Sequence, residues 1–488
     1  MRRFLPCSVS SSRSCGSRPV RRTPVAPSTP PSRRWGASTL HAVEYAAASG
    51  NAYALGQAPG PGKPWPRFNL IKYVAAVNYN GPIMREELVR TELEDPPRGG
   101  GAGPYNPATG QGGIRPIPFG PQTQIRQATA RPETGLLQIW MTPHGFLKAA
   151  AANNATATTA NVRGRTVHAV SFTALGRYTV SGTINDQNLV GRVETRTPNT
   201  VLGDMPVETT YSDYRDFTGV KFPTRIVQRQ GGHPTLDLTV SNVQPNSAAA
   251  AALEVPATVL PAPVPPVRVE AQEVAGGVWD LGGDQCHSYL VEFDDHLVVI
   301  EAPGNDARAN AVIAEVKRLA PNKPIRYLVN THHHFDHSGG VRGFVAEGVT
   351  IITHEMNKPY YEEIFRNPHQ LNPDRLARSN RTAIIEGVGD KRVLTDGTRT
   401  LELYHIRGNL HDEAMLMAYL PKERLLIQTD AFNPRPPDAP PLPSPSPFTV
   451  NLFENIRRLK LDVAQIAHIH NGVIEPFAAL AKAAGRQE

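Results

Sequence analysis

The chain has 488 residues, with 51 lysines and arginines, 44 aspartates and glutamates and three cysteines. This length allows about two to four domains, and so few cysteines give no disulfide framework. The segment Met1 to Trp35 contains eight arginines and no acidic residue, so its +8 accounts for the formal net charge of +7 and leaves −1 (7 − 8) for the rest. Nucleic-acid binding by the folded body is therefore not expected. No apolar run approaches the ~20 residues of a transmembrane helix.

Residues 1–39 form an Arg-, Ser- and Pro-rich tail that cannot bury a core and is expected to be disordered. Its paired arginines resemble a twin-arginine export signal, but no apolar stretch follows any pair. An Arg-rich, Ser-rich and acid-free start also resembles an organellar transit peptide, and a misplaced start codon would explain it equally well. The tail therefore leaves the localisation open.

Residues 40–246 contain short strand-like runs between turns, which predict an antiparallel β-rich domain. The runs are Phe68–Val74, Thr166–Phe172, Asn188–Glu194, Met205–Tyr211 and Thr235–Val240. Pro143–Ala152 is predicted to be a helix against the sheet, and Arg98–Gly113 a Gly-rich loop. The domain weakly resembles the curved sheets of lipoprotein-carrier-type periplasmic proteins, which implies export. No ligand spacing occurs in it, so we expect a structural or dimerising module, with a homodimer as one outcome, over a substrate-binding role.

Residues 247–266 are Ala-rich and then Pro-rich, and they predict a semi-rigid linker. Residues 267–488 then begin with strand-like runs, followed by strand–helix alternation. The predicted elements are strands at Val278–Leu281, His287–Phe293, Leu297–Ile300 and Ile325–Asn330, and a helix at Asn305–Leu319.

The segment Thr331–Gly340 contains the pattern His-x-His-x-Asp-His, formed by His332, His334, Asp336 and His337. Imidazole nitrogen and carboxylate oxygen together suit Zn²⁺, with Fe or Mn as alternatives. A strand precedes the pattern and Ser338-Gly339-Gly340 is predicted to start a helix, so the donors are expected on a loop. His332 and His334 would point the same way and hold one metal, while Asp336 and His337 would face a second.

Three further donors follow later predicted strands, namely His411, Asp430 and His470. His468 competes with His470, which we prefer because Asn471-Gly472 follows it and marks a loop. Three other histidines receive no ligand role. His333 and His405 are expected to be structural, and His354 either lines the cleft or is structural.

From Pro266 to its end the chain resembles the metallo-β-lactamase superfamily of metallohydrolases. The resemblance implies an αββα sandwich, so that the whole chain combines α/β and α+β character. It implies that His332, His334 and His411 bind a first metal, that Asp336, His337 and His470 bind a second, and that Asp430 bridges both. Two positions depart from the family pattern. Glu301 replaces the aspartate of the first motif, which supports a ligand, and Gly408-Asn409-Leu410 precedes His411 where a glycine directly before the histidine is common.

We therefore expect a binuclear zinc hydrolase with two Zn per chain, Fe or Mn being the alternative metals. A hydroxide shared by the metals, with a pKa lowered toward ~7, would attack an ester-like bond of a small molecule, and Asp336 and Asp430 would be catalytic. The resemblance favours lactones or thioesters, with β-lactams as side substrates. Cys286, the one cysteine of this half, gives little support to a thiolate ligand. An iron-dependent, dioxygenase-like oxidoreductase, a nuclease or phosphodiesterase, and a non-catalytic metal-binding scaffold remain alternatives. The Pro-rich stretch 433–447 either walls the cleft or is a plain connection.

Overall fold

The computed structural model of the protein describes residues 39–101, 105–106, 111–112, 122–129, 132–255, 266–433 and 444–487. Residues 1–38 of the predicted tail, half of the Gly-rich loop, the Pro-rich part of the linker and most of the stretch 433–447 lie outside these residues, and the expectations for them stay predictions. The described helices contain no segment that is long and apolar enough to cross a membrane.

The N-terminal half is built mainly of long strands. In chain order its elements are β1 Ala42–Tyr53, β2 Arg67–Asn78, β3 Ile83–Glu92, β4 Tyr105–Asn106, β5 Gln111–Gly112, β6 Gln122–Thr129, α1 Glu133–Trp140, α2 Pro143–Ala152, β7 Thr156–Val162, β8 Arg165–Ala174, β9 Tyr178–Asn185, β10 Val190–Asn199, β11 Gly203–Phe217, β12 Val220–Gln230, β13 His233–Pro245 and α3 Ala248–Ala251.

Eleven of these described strands form one sheet in the order β6-β3-β2-β1-β13-β12-β11-β10-β9-β8-β7, and every neighbouring pair is antiparallel. Side chains alternate between the two faces, as in β9, where Tyr178, Val180 and Ile184 are buried and their neighbours are less so. Helix α2 begins after Thr142, whose hydroxyl accepts from Gly145 N at 3.2 Å, and it buries Phe146 in the sheet core. The predicted antiparallel β-rich domain is confirmed.

The C-terminal half alternates short strands with helices. Its elements are β14 Glu270–Ala275, β15 Val278–Gly282, β16 Ser288–Glu292, β17 Leu297–Ile300, α4 Asp306–Leu319, β18 Ile325–Val329, α5 Phe335–Ser338, α6 Val341–Glu347, β19 Thr350–His354, α7 Asn357–Ile364, β20 Ile385–Val388, β21 Lys391–Thr395, β22 Thr400–His405, β23 Leu416–Leu420, β24 Leu425–Gln428, α8 Pro447–Leu459, β25 Gln465–His468, β26 Ile474–Pro476 and α9 Phe477–Ala483.

In the described part of this half, two sheets pack face to face between two layers of helices. The first sheet has the order β14 to β20 and the second the order β21 to β26. Strand β17 shows why both faces of the first sheet are buried. Val298 and Ile300 point into the core between the sheets, whereas Leu297 and Val299 pack with helices α4 and α6. Helices α8 and α9 cover the second sheet in the same way. The predicted αββα sandwich is confirmed.

Two local predictions differ from the structure. The helix expected to begin at Ser338 begins at Phe335, so Asp336 and His337 lie in a first helical turn rather than on an extended loop. The reason is that the His334 carbonyl already accepts from Ser338 N at 2.9 Å, which closes a helical turn. In addition, the start of the expected linker is a short helix, α3, capped by Ser247 and packed against β1 and β2.

Candidate metal centre

Four histidines converge on the carboxylate of Asp430 at the edge where β18, β24 and β25 end. Asp430 Oδ2 lies 3.2 Å from His332 Nε2, 2.9 Å from His337 Nε2 and 3.3 Å from His411 Nε2. Asp430 Oδ1 lies 2.7 Å from His470 Nε2. Strands β24 and β25 are parallel, with Gln428 opposite His468, so the loops that follow them leave the sheet side by side.

The seven residues expected to bind metal separate into two groups. Ligand atoms of His332, His334, His411 and Asp430 lie within 4.8 Å of one another, and so do those of Asp336, His337 and His470 together with Cys286. The spacing along the chain predicts the separation of His332 and His334 from Asp336 and His337, and the family resemblance implies the places of the other three residues. Asp430 belongs to the first group and also contacts His337 and His470 of the second, so it lies between them.

The donor atoms of this cluster fit a metal because several of them are buried and, apart from one another, have no hydrogen-bond partner in the described chain. They are His332 Nε2, His334 Nδ1, His337 Nε2, His411 Nε2 and Asp430 Oδ2. A buried polar atom without a partner is costly, and five of them pointing at one small region indicate a shared electrophile. Nitrogen and oxygen donors in this mixture suit Zn²⁺, Fe or Mn.

Hydrogen bonds on the far side of each ring fix its orientation. His337 Nδ1 lies 2.9 Å from Glu301 Oε2, and a carboxylate can only accept, so Nδ1 carries the proton and Nε2 faces Asp430. Glu301 is fully buried and also accepts a hydrogen bond from Thr331 N. Its φ of 69° places the backbone in the left-handed region at the end of β17, where the chain turns toward the site. Glu301 thus has the supporting position expected for it.

Cys286 lies beside the second group, although the sequence analysis found little support for a thiolate ligand. Its Sγ is 3.4 Å from His470 Nδ1. The two residues form an antiparallel bridge between the segments 285–287 and 469–471, so their side chains are neighbours. Burial raises the pKa of the Cys286 thiol to about 11, although His470 partly opposes this. The thiol is therefore protonated at neutral pH.

The four histidines considered but not assigned as ligands have other contacts. His468 is fully buried, with Nδ1 2.8 Å from the Phe432 carbonyl and 2.9 Å from Gln428 Nε2, so this nitrogen has its partners within the fold. His333 Nδ1 lies 2.6 Å from Asp412 Oδ2, which ties the first ligand loop to the loop of His411. His405 Nε2 donates to the Glu413 carbonyl at 2.8 Å, and its ring contacts that of His354, with centroids 4.1 Å apart and planes inclined by 43°. These contacts support structural roles for all four.

Comparison with known proteins identifies the family of a segment of the C-terminal half. Residues 281–468 match the family model of the metallo-beta-lactamase superfamily. This segment belongs to that superfamily. Glu301 and all seven expected metal ligands except His470 lie within the matched residues.

The relatives of the metallo-beta-lactamase domain have diverse names. The 2,4-dinitroanisole O-demethylase subunit alpha of Nocardioides sp. is 24% identical over 159 residues, which are 33% of this chain and 45% of that protein. The alkyl/aryl-sulfatase BDS1 of Saccharomyces cerevisiae is 30% identical over 76 residues, 15% of this chain and 12% of that protein. The chain thus spans less than half the length of each.

Solved structures similar to the domain include the DIM-1 metallo-beta-lactamase, with 15% identity and a TM-score of 0.35 over 45% of this chain and 96% of that chain. The rubredoxin oxygen:oxidoreductase of Desulfovibrio gigas has 17% identity and a TM-score of 0.35 over 44% of this chain and 61% of that chain.

Burial and neighbouring charges in the metallo-beta-lactamase domain shift the pKa values of the expected metal ligands in opposite directions. Burial, followed by the charge of His332, holds the pKa of His334 well below its usual value, so the ring is neutral. Burial alone would lower the pKa of His337, but Asp430 and Asp336 outweigh it and raise that pKa well above the usual value. Burial would likewise raise the pKa of Asp430, yet His337 and His470 hold it well below its usual range. The carboxylate is therefore ionised and ready to bind a cation.

Residues of the N-terminal domain also reach this centre, which no spacing in the sequence indicated. The Ala58 carbonyl accepts from His334 Nε2 at 2.7 Å, and Gln57 Nε2 donates to Asp336 Oδ1 at 2.8 Å. The proton on His334 Nε2 leaves the unpartnered Nδ1 as the donor toward the metal position. The domain was expected to be a structural or dimerising module, and in the structure it also contacts one expected ligand of each group.

Proposed function

We propose that the protein is a binuclear metal-dependent hydrolase, with zinc as the metal, that cleaves ester-like bonds of small molecules. The observation that carries the proposal is the position of Asp430. Its carboxylate lies between two donor groups and contacts His332 and His411 on one side and His337 and His470 on the other. A single carboxylate between two histidine-rich groups is the arrangement that a two-metal site requires.

The residues would share the work as follows. His332, His334 and His411 would hold one metal, and Asp336, His337 and His470 the other, with Asp430 common to both. Divalent metals bound at such a site polarise a carbonyl or phosphoryl oxygen and lower the pKa of water. The side chain of Asp336 is 43% exposed, whereas that of His337 is fully buried. Asp336 therefore marks the open side of the centre, where an attacking water and the substrate would enter.

The state of the described cysteine favours attack by water over catalysis through a covalent bond to the protein. Cys286 is the one cysteine in the part of the chain described by the structure, and in the metal-free protein burial raises the pKa of its thiol to about 11, so that the thiol is protonated. A thiol in that state is a poor nucleophile. Water oriented by Asp336 and Asp430 is therefore the attacking group we propose.

The bond cleaved is ester-like in our proposal, with lactones and thioesters first. The names of the curated relatives add an aryl methyl ether and an alkyl or aryl sulfate as bonds to test. All of these join a polarisable centre to an oxygen or sulfur leaving group, which suits a cationic site. A phosphodiester and a β-lactam complete the set.

The test combines metal analysis with this substrate panel. Purified protein should contain about two equivalents of zinc per chain and hydrolyse at least one ester-like substrate. Asp430→Ala should lose about one equivalent and more than ~100-fold in turnover, whereas Asp462→Ala, at a carboxylate that is 74% exposed and pairs with Arg424, should retain both. One equivalent of iron without zinc, or full metal and rate in Asp430→Ala, would overturn the proposal.

A further inference from the structure

The segment Gly56–Pro59 of the N-terminal domain is clamped between the two loops that carry the first metal ligands. The Gly56 carbonyl accepts from Phe335 N at 3.2 Å, and the Pro59 carbonyl accepts from Glu413 N at 3.0 Å. Lys63 forms an ion pair with Glu413 a few residues further on. Backbone hydrogen bonds at both ends of the segment therefore hold it against the ligand loops.

Gly56 shows that the approach is close. Its φ is +74°, a conformation that favours glycine, and a methyl group added there would lie 2.2 Å from Phe335 Cγ. Phe335 is flanked in sequence by two expected ligands, His334 and Asp336. A larger residue at position 56 would push the segment away from both of them.

A second piece of the N-terminal domain holds the side chain of Gln57 in place. Gly99 N donates to the Leu410 carbonyl at 2.8 Å, and Gly100 N donates to the Gln57 carbonyl at 3.0 Å. A methyl group added at Gly100 would lie 2.0 Å from Gln57 Oε1 and 3.0 Å from His411 Cε1. The Gln57 amide thus fills the space between Gly100 and the metal centre.

We propose that Gln57 is a positioning residue of the metal centre, which the N-terminal domain thereby completes; this inference rests on the metal site of the proposed function. The side chain of Asp336 is 43% exposed, and its Oδ1 accepts from Gln57 Nε2 at 2.8 Å. This bond restricts the rotation of the most exposed ligand and leaves its other oxygen for the second metal. Partners of this kind typically contribute 10- to 100-fold in metal affinity.

The predicted effect is specific to one metal. Gln57 contacts Asp336, which belongs to the second group, while the first group is held by His332, His334 and His411. Gln57→Ala should therefore weaken the second metal by about 10-fold and leave the first one bound. Gly100→Ala should also weaken the second metal, because the added methyl group would displace the Gln57 amide, and it should affect the first metal as well, because the same methyl group would lie 3.0 Å from His411 Cε1.

The experiment titrates the zinc-loaded full-length protein with a chelator and follows both metals. In the double variant Gln57→Ala/Gly100→Ala the added methyl group meets no amide, so its effect should be less than the sum of the single effects. Gln187→Ala, at an exposed turn, and Gly81→Ala, where an added methyl group meets nothing within 4 Å, are the matched controls. Melting temperatures of the metal-free variants should equal that of the metal-free wild type.

Three outcomes would overturn the inference. Two metals in the wild type, with unchanged affinities in Gln57→Ala, would overturn it alone and leave the proposed function standing. A lower melting temperature of the metal-free variant with unchanged metal affinity would show that Gln57 only packs. A wild type that binds no metal would overturn the inference and the proposed function together.

Discussion

Glu301 Oε2 lies 2.9 Å from His337 Nδ1, and both side chains are fully buried. The carboxylate also accepts from Thr331 N, one residue before the first expected ligand. The Glu301 carboxylate therefore orients one expected ligand through Oε2 and holds the start of the ligand loop through Oε1, which accepts from Thr331 N. A shorter aspartate, the residue of the family motif, would have to reach both donors from further away.

Replacing Glu301 with glutamine should weaken the second metal by 10- to 100-fold. An amide has one acceptor oxygen, and its NH₂ group cannot accept from His337 Nδ1–H or from Thr331 N–H. One of the two bonds is therefore lost, and a buried donor is left without a partner. Chelator titration of the zinc protein measures the effect, with Glu315→Gln on helix α4 as the control. Unchanged affinity in Glu301→Gln would show that His337 needs no such support.

The last ligand can be tested by comparing two histidines that are two residues apart. His470→Ala should lose about one metal because Nε2 faces Asp430 at 2.7 Å. His468→Ala should keep both metals but lower the melting temperature, since Nδ1 of this buried ring lies within hydrogen-bond distance of the Phe432 carbonyl and of Gln428 Nε2. Metal analysis and thermal melts of both variants decide the matter. Loss of metal in His468→Ala alone would reverse the assignment.

Cys286 should react slowly with iodoacetamide in the folded protein at pH 7.5. Burial, which raises the pKa of its thiol to about 11, leaves very little thiolate at that pH. In a Cys7→Ser/Cys15→Ser background, Cys286 is the only thiol, and alkylation should accelerate at least ~100-fold on unfolding in urea. Mass spectrometry follows the product. Equal rates in the folded and unfolded states would contradict a buried, protonated thiol.

The stability of the N-terminal domain should depend on pH through His144. Burial, followed by the charge of Lys148, lowers the pKa of this stacked histidine from 6.5 to about 4. Between these values the unfolded chain binds a proton that the folded chain does not, so the free energy of unfolding falls as the pH drops from 6.5 toward 4. The full difference corresponds to roughly 3 kcal/mol.

His144→Phe should remove this dependence. Relative to the metal-free wild type, the metal-free variant should gain stability as the pH falls from 7 to 4, as measured by urea unfolding of the β-rich domain. Lys148→Met should give a smaller change in the same direction, because it removes only the second cause of the lowered pKa. A constant difference between His144→Phe and wild type over this range would show that His144 titrates normally.

The sequence predicted those residues of the metal centre that lie close together along the chain or directly after a strand. His332, His334, Asp336 and His337 lie within six residues after a buried strand, and Asp430 follows another, so each could be placed at a strand end. Gln57 and Ala58 could not be found in this way. Their contacts join residues 279 and 276 positions apart along the chain, and a carbonyl oxygen has no sequence signature.

Cys286 and the short helix α5 were missed for related reasons. Cys286 meets His470 only because the segments 285–287 and 469–471 pair across the molecule. The turn at Phe335 forms because local backbone hydrogen bonds override the extended conformation that alternating histidines suggest. In addition, the Gly56 carbonyl of the other half accepts from Phe335 N.

The bonds of the Gly56–Pro59 segment have a consequence for how this chain can be recombined. The two halves cannot be exchanged as independent modules, because the Ala58 carbonyl supports His334 in the other half. A chimaera that joins the metallo-beta-lactamase domain to a foreign β-rich domain would need a counterpart of Gly56, Gln57 and Ala58 at the same junction. The two halves are therefore coupled through a few backbone atoms, and an inserted residue between Gly56 and Pro59 would displace the Ala58 carbonyl from His334.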